Sequence, residues 1–361
     1  MKQTIHALVD LQFGSTGKGL LAGALAIREK YDTAVTAWMP NAGHTFVDEY
    51  GRAMVHTALA NSIVSPNIKQ ILVAPGSVVD LAALKKEWYA AAALGYVSDV
   101  YIHENAAVLD PSHAEWEKNH VVGIGSTQKG SMAAVVAKLK RDPSGLATAG
   151  RVWGVDTLLA QQAGVYGLTI QVVNHDGYMQ KLRSAEKIIL EGAQGYSLGI
   201  NNGFYPYTTS RQCTVAQLCS DTLVPPGLVD VTWGCARTFP IRVANRYNAG
   251  GELTGWSGPC YSDQEETTFA AISQKQENTT VTGLPRRIFT WSDIQMTEAL
   301  YANQCGELRV FLNFANYLPQ DRRRDVLRAH GATIARCGAR LAAIGYGPQA
   351  QDIDWDVTDA C

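Results

Sequence analysis

The sequence predicts an α/β protein with a mostly parallel central sheet flanked by helices. Three observations carry that expectation. Short apolar runs of strand length alternate with longer stretches of helical periodicity along most of the chain. The chain opens as strand, glycine loop and helix. No internal repeat, low-complexity segment or clear linker divides the 361 residues, so a single elaborated domain, 1–361, is expected.

Residues 4–11 are apolar, short and stopped by glycine, and read as a buried strand; 18–30 carry small and apolar residues at helical spacing. Further strands are expected at 34–39, 71–73, 100–103, 168–173, 187–190, 229–233 and 308–313. Helical patterns fall at 81–94, 132–140, 156–163, 291–303 and 322–335. Residues 250–280 are polar and poorly periodic. They read equally well as a long functional loop or as a surface insertion without a role.

Hydrophobic residues at 46% against 18% charged describe a folded enzyme rather than a disordered tail. A net charge of -2 excludes the basic field that direct nucleic-acid binding requires, so any phosphate must be held by a local site. The seven cysteines include no C-x-x-C pair, which argues against zinc, and scattered thiols suit a reducing cytoplasm. The opening MKQTIHALVDLQF does not read as a signal peptide, and no apolar run is long enough for a bilayer, so no membrane association is expected.

Three stretches carry chemistry. Gly14-Ser15-Thr16-Gly17-Lys18-Gly19 lies between a strand and a helix, where glycine lets backbone amides and a helix N-terminus approach phosphate. It is not a P-loop: two residues separate the glycines instead of four, and glycine rather than Ser or Thr follows the lysine. Asn41-Ala42-Gly43-His44-Thr45 places a histidine in a loop after a strand, although a lone histidine is more often structural. Glu191-Gly192-Ala193-Gln194-Gly195 ends another strand, and its glutamine could present an amide to a purine edge. The density of glycine and lysine favours phosphate over an ordinary turn in the first stretch, but each stretch is weak alone.

Together, in this order, the motifs resemble the adenylosuccinate synthetase family. Gln12-Phe13-Gly14-Ser15-Thr16-Gly17-Lys18-Gly19 parallels its Gln-Trp-Gly-Asp-Glu-Gly-Lys-Gly loop. The Asn-Ala-Gly-His-Thr, Glu-Gly-Ala-Gln-Gly and Tyr-Pro-Tyr motifs match outright, and the order holds as far as Gly347-Pro348. The resemblance implies the P-loop-type fold of that family with long active-site loops. It also implies a two-step ligation, in which a nucleoside triphosphate phosphorylates O6 of a purine nucleotide and L-aspartate displaces the phosphate.

By the same resemblance, Ser15, Thr16, Gly17, Lys18, Gly19, Gly43, His44, Thr45, Asn313, Asn316, Gly347 and Pro348 bind the triphosphate. Lys18, His44, Gln194 and Ser15 hold the catalytic positions. Ser15, Asn41, Ser126, Thr127, Arg141, Gln194 and Thr209 bind the monophosphate, Arg141 reaching across a homodimer. Thr280, Val281, Thr282, Gly283, Arg286 and Arg287 receive aspartate. Mg2+ is implied at Gly43 and Ser15.

Two departures from the family narrow the substrates. Ser15 replaces the loop aspartate that serves as base and magnesium ligand; a carboxylate there would crowd a 2-amino group, so serine favours a guanine acceptor. Asn316 replaces the aspartate that reads guanine in GTP, and Phe314 replaces a neighbouring lysine. Asparagine both donates and accepts, as adenine requires, which points to ATP. Both changes are features of the family's viral branch, which uses dGMP, aspartate and ATP to make the 2-aminoadenine precursor in the host cytoplasm. The competing expectations are an ordinary member using IMP and GTP, and an inactive nucleotide-binding paralogue.

Overall fold

Apolar runs too short to be helices become strands when both of their faces are covered. In β1 (Thr4–Asp10) every residue after Thr4 is buried. The computed structural model describes residues 3–121, 123–162, 167–279 and 283–357. Its main sheet continues with β2 (Thr33–Thr36), β3 (Gln70–Val73), β4 (Asp99–His103), β5 (Leu158–Gln161), β6 (Thr169–Val173) and β7 (Lys187–Glu191). It is completed by β8 (Val231–Arg237), β9 (Glu307–Asn313), β10 (Arg340–Gly345) and β11 (Ile353–Asp354). The spatial order is β5-β6-β4-β3-β2-β7-β1-β8-β9-β10-β11. Only the outermost pairs, β5 with β6 and β10 with β11, are antiparallel.

Helices cover both faces. Successive residues of β1 face opposite sides, Leu8 one way and Ala7 and Val9 the other. The Leu8 side packs α1 (Lys18–Glu29) and α2 (Leu81–Ala93) through Leu21, Leu25, Leu84 and Trp88. In chain order α3 (Pro111–His120), α4 (Ser131–Leu139) and α5 (Ala149–Trp153) follow, α5 adding Ala149 to the same core. The opposite side packs α6 (His175–Ser184), α7 (Val215–Thr222), α8 (Asp293–Ala302) and α9 (Arg323–Arg336).

Two glycines fix how the first loop enters α1. Gly17 has φ 93°, and a Cβ on it would fall 2.1 Å from Asn313 Nδ2. A Cβ on Gly19 would sit 2.7 Å from the backbone of Thr45, so the helix passes against the neighbouring loop only without a side chain.

The α/β class and the parallel sheet agree with expectation, and so do the cores of the expected strands. The segment 156–163 does not. Its residues 158–161 form strand β5, paired antiparallel to β6, while Ala163 lies outside the described residues. A helix of that length is marginal in water, whereas the open sheet edge offers backbone partners at once. The strand expected at 229–233 instead runs from Val231 through Arg237, because β1 pairs it as far as Cys235 and β9 along its whole length. The segment 250–280 is less irregular than its composition suggests. Leu253–Trp256 pairs with Arg246–Tyr247 and Gly123–Ile124, and Glu266–Thr267 pairs with Arg287–Phe289.

Candidate active site

The loops that follow β1, β2 and β7 leave adjacent strands at their carboxyl ends, where open α/β sheets bind ligands. There they line a cleft of about 630 Å³.

The first loop is organised around Asp10, a residue the sequence reading passed over. Its side chain has no exposure, and it accepts four hydrogen bonds. Oδ1 takes the amides of Gln12 (2.9 Å) and Gly14 (3.2 Å); Oδ2 takes the Thr16 hydroxyl (2.5 Å) and the Lys18 ammonium (2.9 Å). Lys18 also donates to the Gln194 carbonyl at 3.0 Å. Lys18 therefore stands in the cleft wall held by Asp10 and the Gln194 carbonyl, with two of its three N–H donors used. The available signal was an acidic residue at the end of an otherwise apolar strand, which only a ring of donors can stabilise.

Ser15 is the exposed tip of this loop, with φ 56°. Its hydroxyl accepts from Arg286 at 2.6 Å, and its carbonyl accepts from Arg237 at 3.3 Å. Arg237 is fully buried, pairs with Glu277 at 2.5 Å and lies 3.8 Å over the Phe314 ring. Burial alone would raise the Glu277 carboxyl, but the Arg237 charge and its hydrogen bonds hold it below the usual range. Burial pushes Arg286 down to about 10, against the pull of Glu277.

His44 begins a hairpin of His44–Val47 with Ala53–His56 and stacks on Trp38 at 4.0 Å. Burial, then the charges of Lys18 and His56, push its pKa well below the ordinary histidine value. It is thus a neutral imidazole, able to donate one N–H without adding charge.

Gln194 has φ 56°, and its Nε2 donates to Asn41 Oδ1 at 2.9 Å. Its Oε1 is buried in the cleft wall without a partner among the described residues. A buried amide oxygen with no donor calls for a ligand N–H.

A family model described as adenylosuccinate synthetase matches residues 7–151 and 155–312. The chain belongs to the adenylosuccinate synthetase family. Like its relatives it is a carbon–nitrogen ligase. It is 44% identical to the N6-succino-2-amino-2'-deoxyadenylate synthase of Salmonella phage PMBT28, over 97% of each chain. It is 42% identical to the synthase of that name from Acinetobacter phage SH-Ab 15497, over 96% of this chain and 92% of the other. A cyanophage S-2L succinoaminodeoxyadenylate synthetase, solved with dGMP and dATP as an energy donor, superposes with a TM-score of 0.88. The two are 39% identical over all of this chain and 97% of that one. The Plasmodium falciparum adenylosuccinate synthetase shares the fold at TM-score 0.71, with 16% identity.

Measured against the roles expected from the family, the cleft wall of this synthetase brings together Ser15, Thr16, Gly17, Lys18, Gly19, Asn41, Gly43, His44 and Thr45. Ser126, Thr127, Gln194, Thr209 and Arg286 join them. Other candidates lie elsewhere. Asn313 is buried beneath the loop, its Nδ2 donating to the Thr16 carbonyl at 3.3 Å, so it braces the loop. Asn316 is exposed on a short turn, and Gly347 and Pro348 sit on the loop after β10; none of the three lines the cleft. Arg141 is exposed just past α4, away from its own chain's cleft. Arg287 is engaged with Glu266, the Ser257 hydroxyl and the Gly258 carbonyl. Gly283 is exposed outside the cleft, and Thr280, Val281 and Thr282 lie outside the described residues.

Among the described residues no cluster of three or more His, Cys, Asp or Glu could hold a metal, and the Asp10 carboxylate is committed to four donors. Of the two positions expected to hold Mg2+, Gly43 lies on the cleft wall, where its carbonyl would add to oxygens supplied mainly by substrate phosphates. Ser15 does not fit as it stands, because its hydroxyl and carbonyl already accept from Arg286 and Arg237.

Proposed function

We propose that this enzyme joins L-aspartate to C6 of dGMP, giving N6-succino-2-amino-2'-deoxyadenylate, with ATP or dATP as phosphoryl donor and Mg2+ as cofactor. The observation that carries this reading is full-length likeness to phage synthases of that product, one of them solved with dGMP and dATP.

The chemistry runs in two steps. Purine O6 takes the γ-phosphoryl group, breaking its bond to the β-phosphate bridge oxygen, and the N1 proton passes to water. The aspartate amine then attacks C6, the C6–O6 bond breaks with departure of phosphate, and the amine gives a proton to water. In this reading Gln194 Oε1 accepts an N–H of the purine, the unmet need of that buried oxygen. Ser15 leaves room for the 2-amino group. Lys18 and neutral His44 stabilise the charge that develops on the transferring phosphoryl group. When bound, Mg2+ held at Gly43 and by the phosphates themselves would draw negative charge from the phosphate oxygens. Arg286 receives a carboxylate of aspartate as a planar fork.

Asn316, on the turn after β9 and outside the cleft, would read the donor base and favour adenine, and Arg141 would complete the monophosphate site of a second copy in a homodimer. The continuous sheet from β1 to β11 supports a single domain, 1–361. The phage relatives support work in the host cytoplasm; among the described residues no helix is long and apolar enough to cross a membrane.

The test is a panel of dGMP, GMP and IMP, each with ATP, dATP or GTP, scored for aspartate-dependent product. Product from dGMP with an adenine nucleotide is expected. Turnover of IMP with GTP alone would mark an ordinary member of the family. Nucleotide binding without aspartate-dependent phosphate release would mark an inactive paralogue. Turnover of dGMP with GTP but neither adenine donor would overturn the role given to Asn316.

A further inference from the structure

Besides the Gly14–Gly19 loop, the cleft wall contains a cation that neither the motifs nor the family expectations singled out. Arg246 lies on the short strand Arg246–Tyr247, joined through Leu253–Trp256 to Gly123–Ile124, which leads directly into the loop containing Ser126 and Thr127. Its guanidinium turns onto that loop. Nη1 donates to Gln128 Oε1 at 2.5 Å, and Nη2 donates to the Ser126 carbonyl. Arg246, Ser126 and Thr127 all line the cleft.

Three further observations set the charge balance here. Arg246 has no carboxylate partner among the described residues, and burial lowers its pKa with no acid to offset it. A guanidinium carries five N–H donors, and these two hydrogen bonds leave three. The nearby helix α4 cannot supply the missing anion site. The buried Glu117 carboxylate already takes the amides of Gly130 (2.8 Å), Met132 (2.8 Å) and Ala133 (3.3 Å). A phosphate at that helix start would meet a carboxylate instead of free amides. Yet the Ser131 hydroxyl beside it is buried in the cleft wall with no partner. The wall therefore offers a half-buried unpaired cation and an orphaned hydroxyl, with the helix end closed.

We infer that Arg246 is the in-chain cation that receives the 5'-phosphate of the nucleotide acceptor, while its other N–H groups hold the Ser126–Gln128 loop in place. The inference rests on the reading of the cleft as a dGMP site and adds to it a residue serving substrate binding rather than the chemical step. Aspartate and the triphosphate are bound independently of it.

The test compares binding of dGMP with that of deoxyguanosine, which lacks the phosphate, by calorimetry on full-length wild type, R246Q and Q128A. R246Q is expected to weaken dGMP about 10- to 100-fold, the loss of a charge-assisted contact, while deoxyguanosine stays close to wild type. Q128A removes the brace but keeps the guanidinium and should preserve the preference for dGMP. An unchanged preference in R246Q, or equal weakening of both ligands, overturns the inference. If R246Q does not fold, R246K carries the same comparison, with a partial loss of preference expected because a point charge replaces the fork. Product formation by wild type is scored separately. Its failure withdraws the functional reading, whereas failure of the binding ratio withdraws only the role of Arg246.

Discussion

The Arg286 guanidinium donates to the Ser15 hydroxyl at 2.6 Å, across 271 residues of sequence. The tip of the phosphate loop and the segment expected to take aspartate therefore meet at one side chain. Replacing Ser15 by Asp would give Arg286 a stronger partner, so the protein should fold at least as stably. The added carboxylate would crowd the 2-amino group of dGMP. Turnover of dGMP by S15D should fall about 100-fold or more. Undiminished turnover, measured as aspartate-dependent phosphate release, would sink the steric account of Ser15.

Adjacent arginines at 286 and 287 are separable by what they touch. Arg286 lines the cleft, while Arg287 holds Glu266, Ser257 and Gly258 together. R286Q should raise the KM for aspartate about 10- to 100-fold with little change in melting temperature. R287Q should lose about 1 to 2 kcal/mol of stability with a smaller effect on that KM. Reversed effects would shift the aspartate role to Arg287.

Asp10 and Lys18 form a buried pair, so removing one partner strands the other. D10N should cost about 3 kcal/mol in denaturant unfolding, because a buried ammonium loses its counter-charge. The double variant D10N/K18M should recover part of that loss. A D10N protein as stable as wild type would mean that the ring of donors is satisfied without the charge.

Much of this was legible from sequence because motif and strand end coincide. The parallel sheet was readable from short apolar runs, and the three loops from glycines beside Lys18, His44 and Gln194. What was hidden depends on partners far away in sequence. Asp10 is a single acidic letter whose meaning lies in four donors folded around it. Arg246 acquires its importance only when a three-stranded sheet carries it to Ser126. The helix α3, PSHAEWEKNH, is polar and buries chiefly Glu117, so it offers almost no apolar period to detect. The strand β5 carries a helical pattern locally, but its partner β6 decides its state, which local propensity cannot express.

Histidines should make the fold acid-sensitive. Burial, with the charges of His175 and Lys138, pushes His103 down to about 4; burial also takes His330 to about 4, against Asp293. The unfolded chain, with values near 6.5, binds more protons than the folded one between pH 6.5 and 4, so stability falls as pH drops through that window. Each should cost about 1 to 2 kcal/mol at pH 5 relative to pH 7, checked by denaturant melts of wild type and H330N. Equal pH slopes for the two proteins would exclude His330 as a source. His44, held neutral, should contribute no ionisation to the rate between pH 6 and 8.

The position of β1 has a consequence for how the protein is made. Its two neighbours in the sheet are β7 and β8, which end at residues 191 and 237. At ordinary translation rates the first strand waits roughly 10 to 40 s for either to leave the ribosome. Through that interval an apolar segment, TIHALVD, has neither edge paired. An N-terminal fragment ending before β7 lacks both strands that flank β1 and the Gln194 carbonyl that holds Lys18. Losses of nascent chain to aggregation therefore bear on how much enzyme a cell obtains, alongside the stability of the finished sheet.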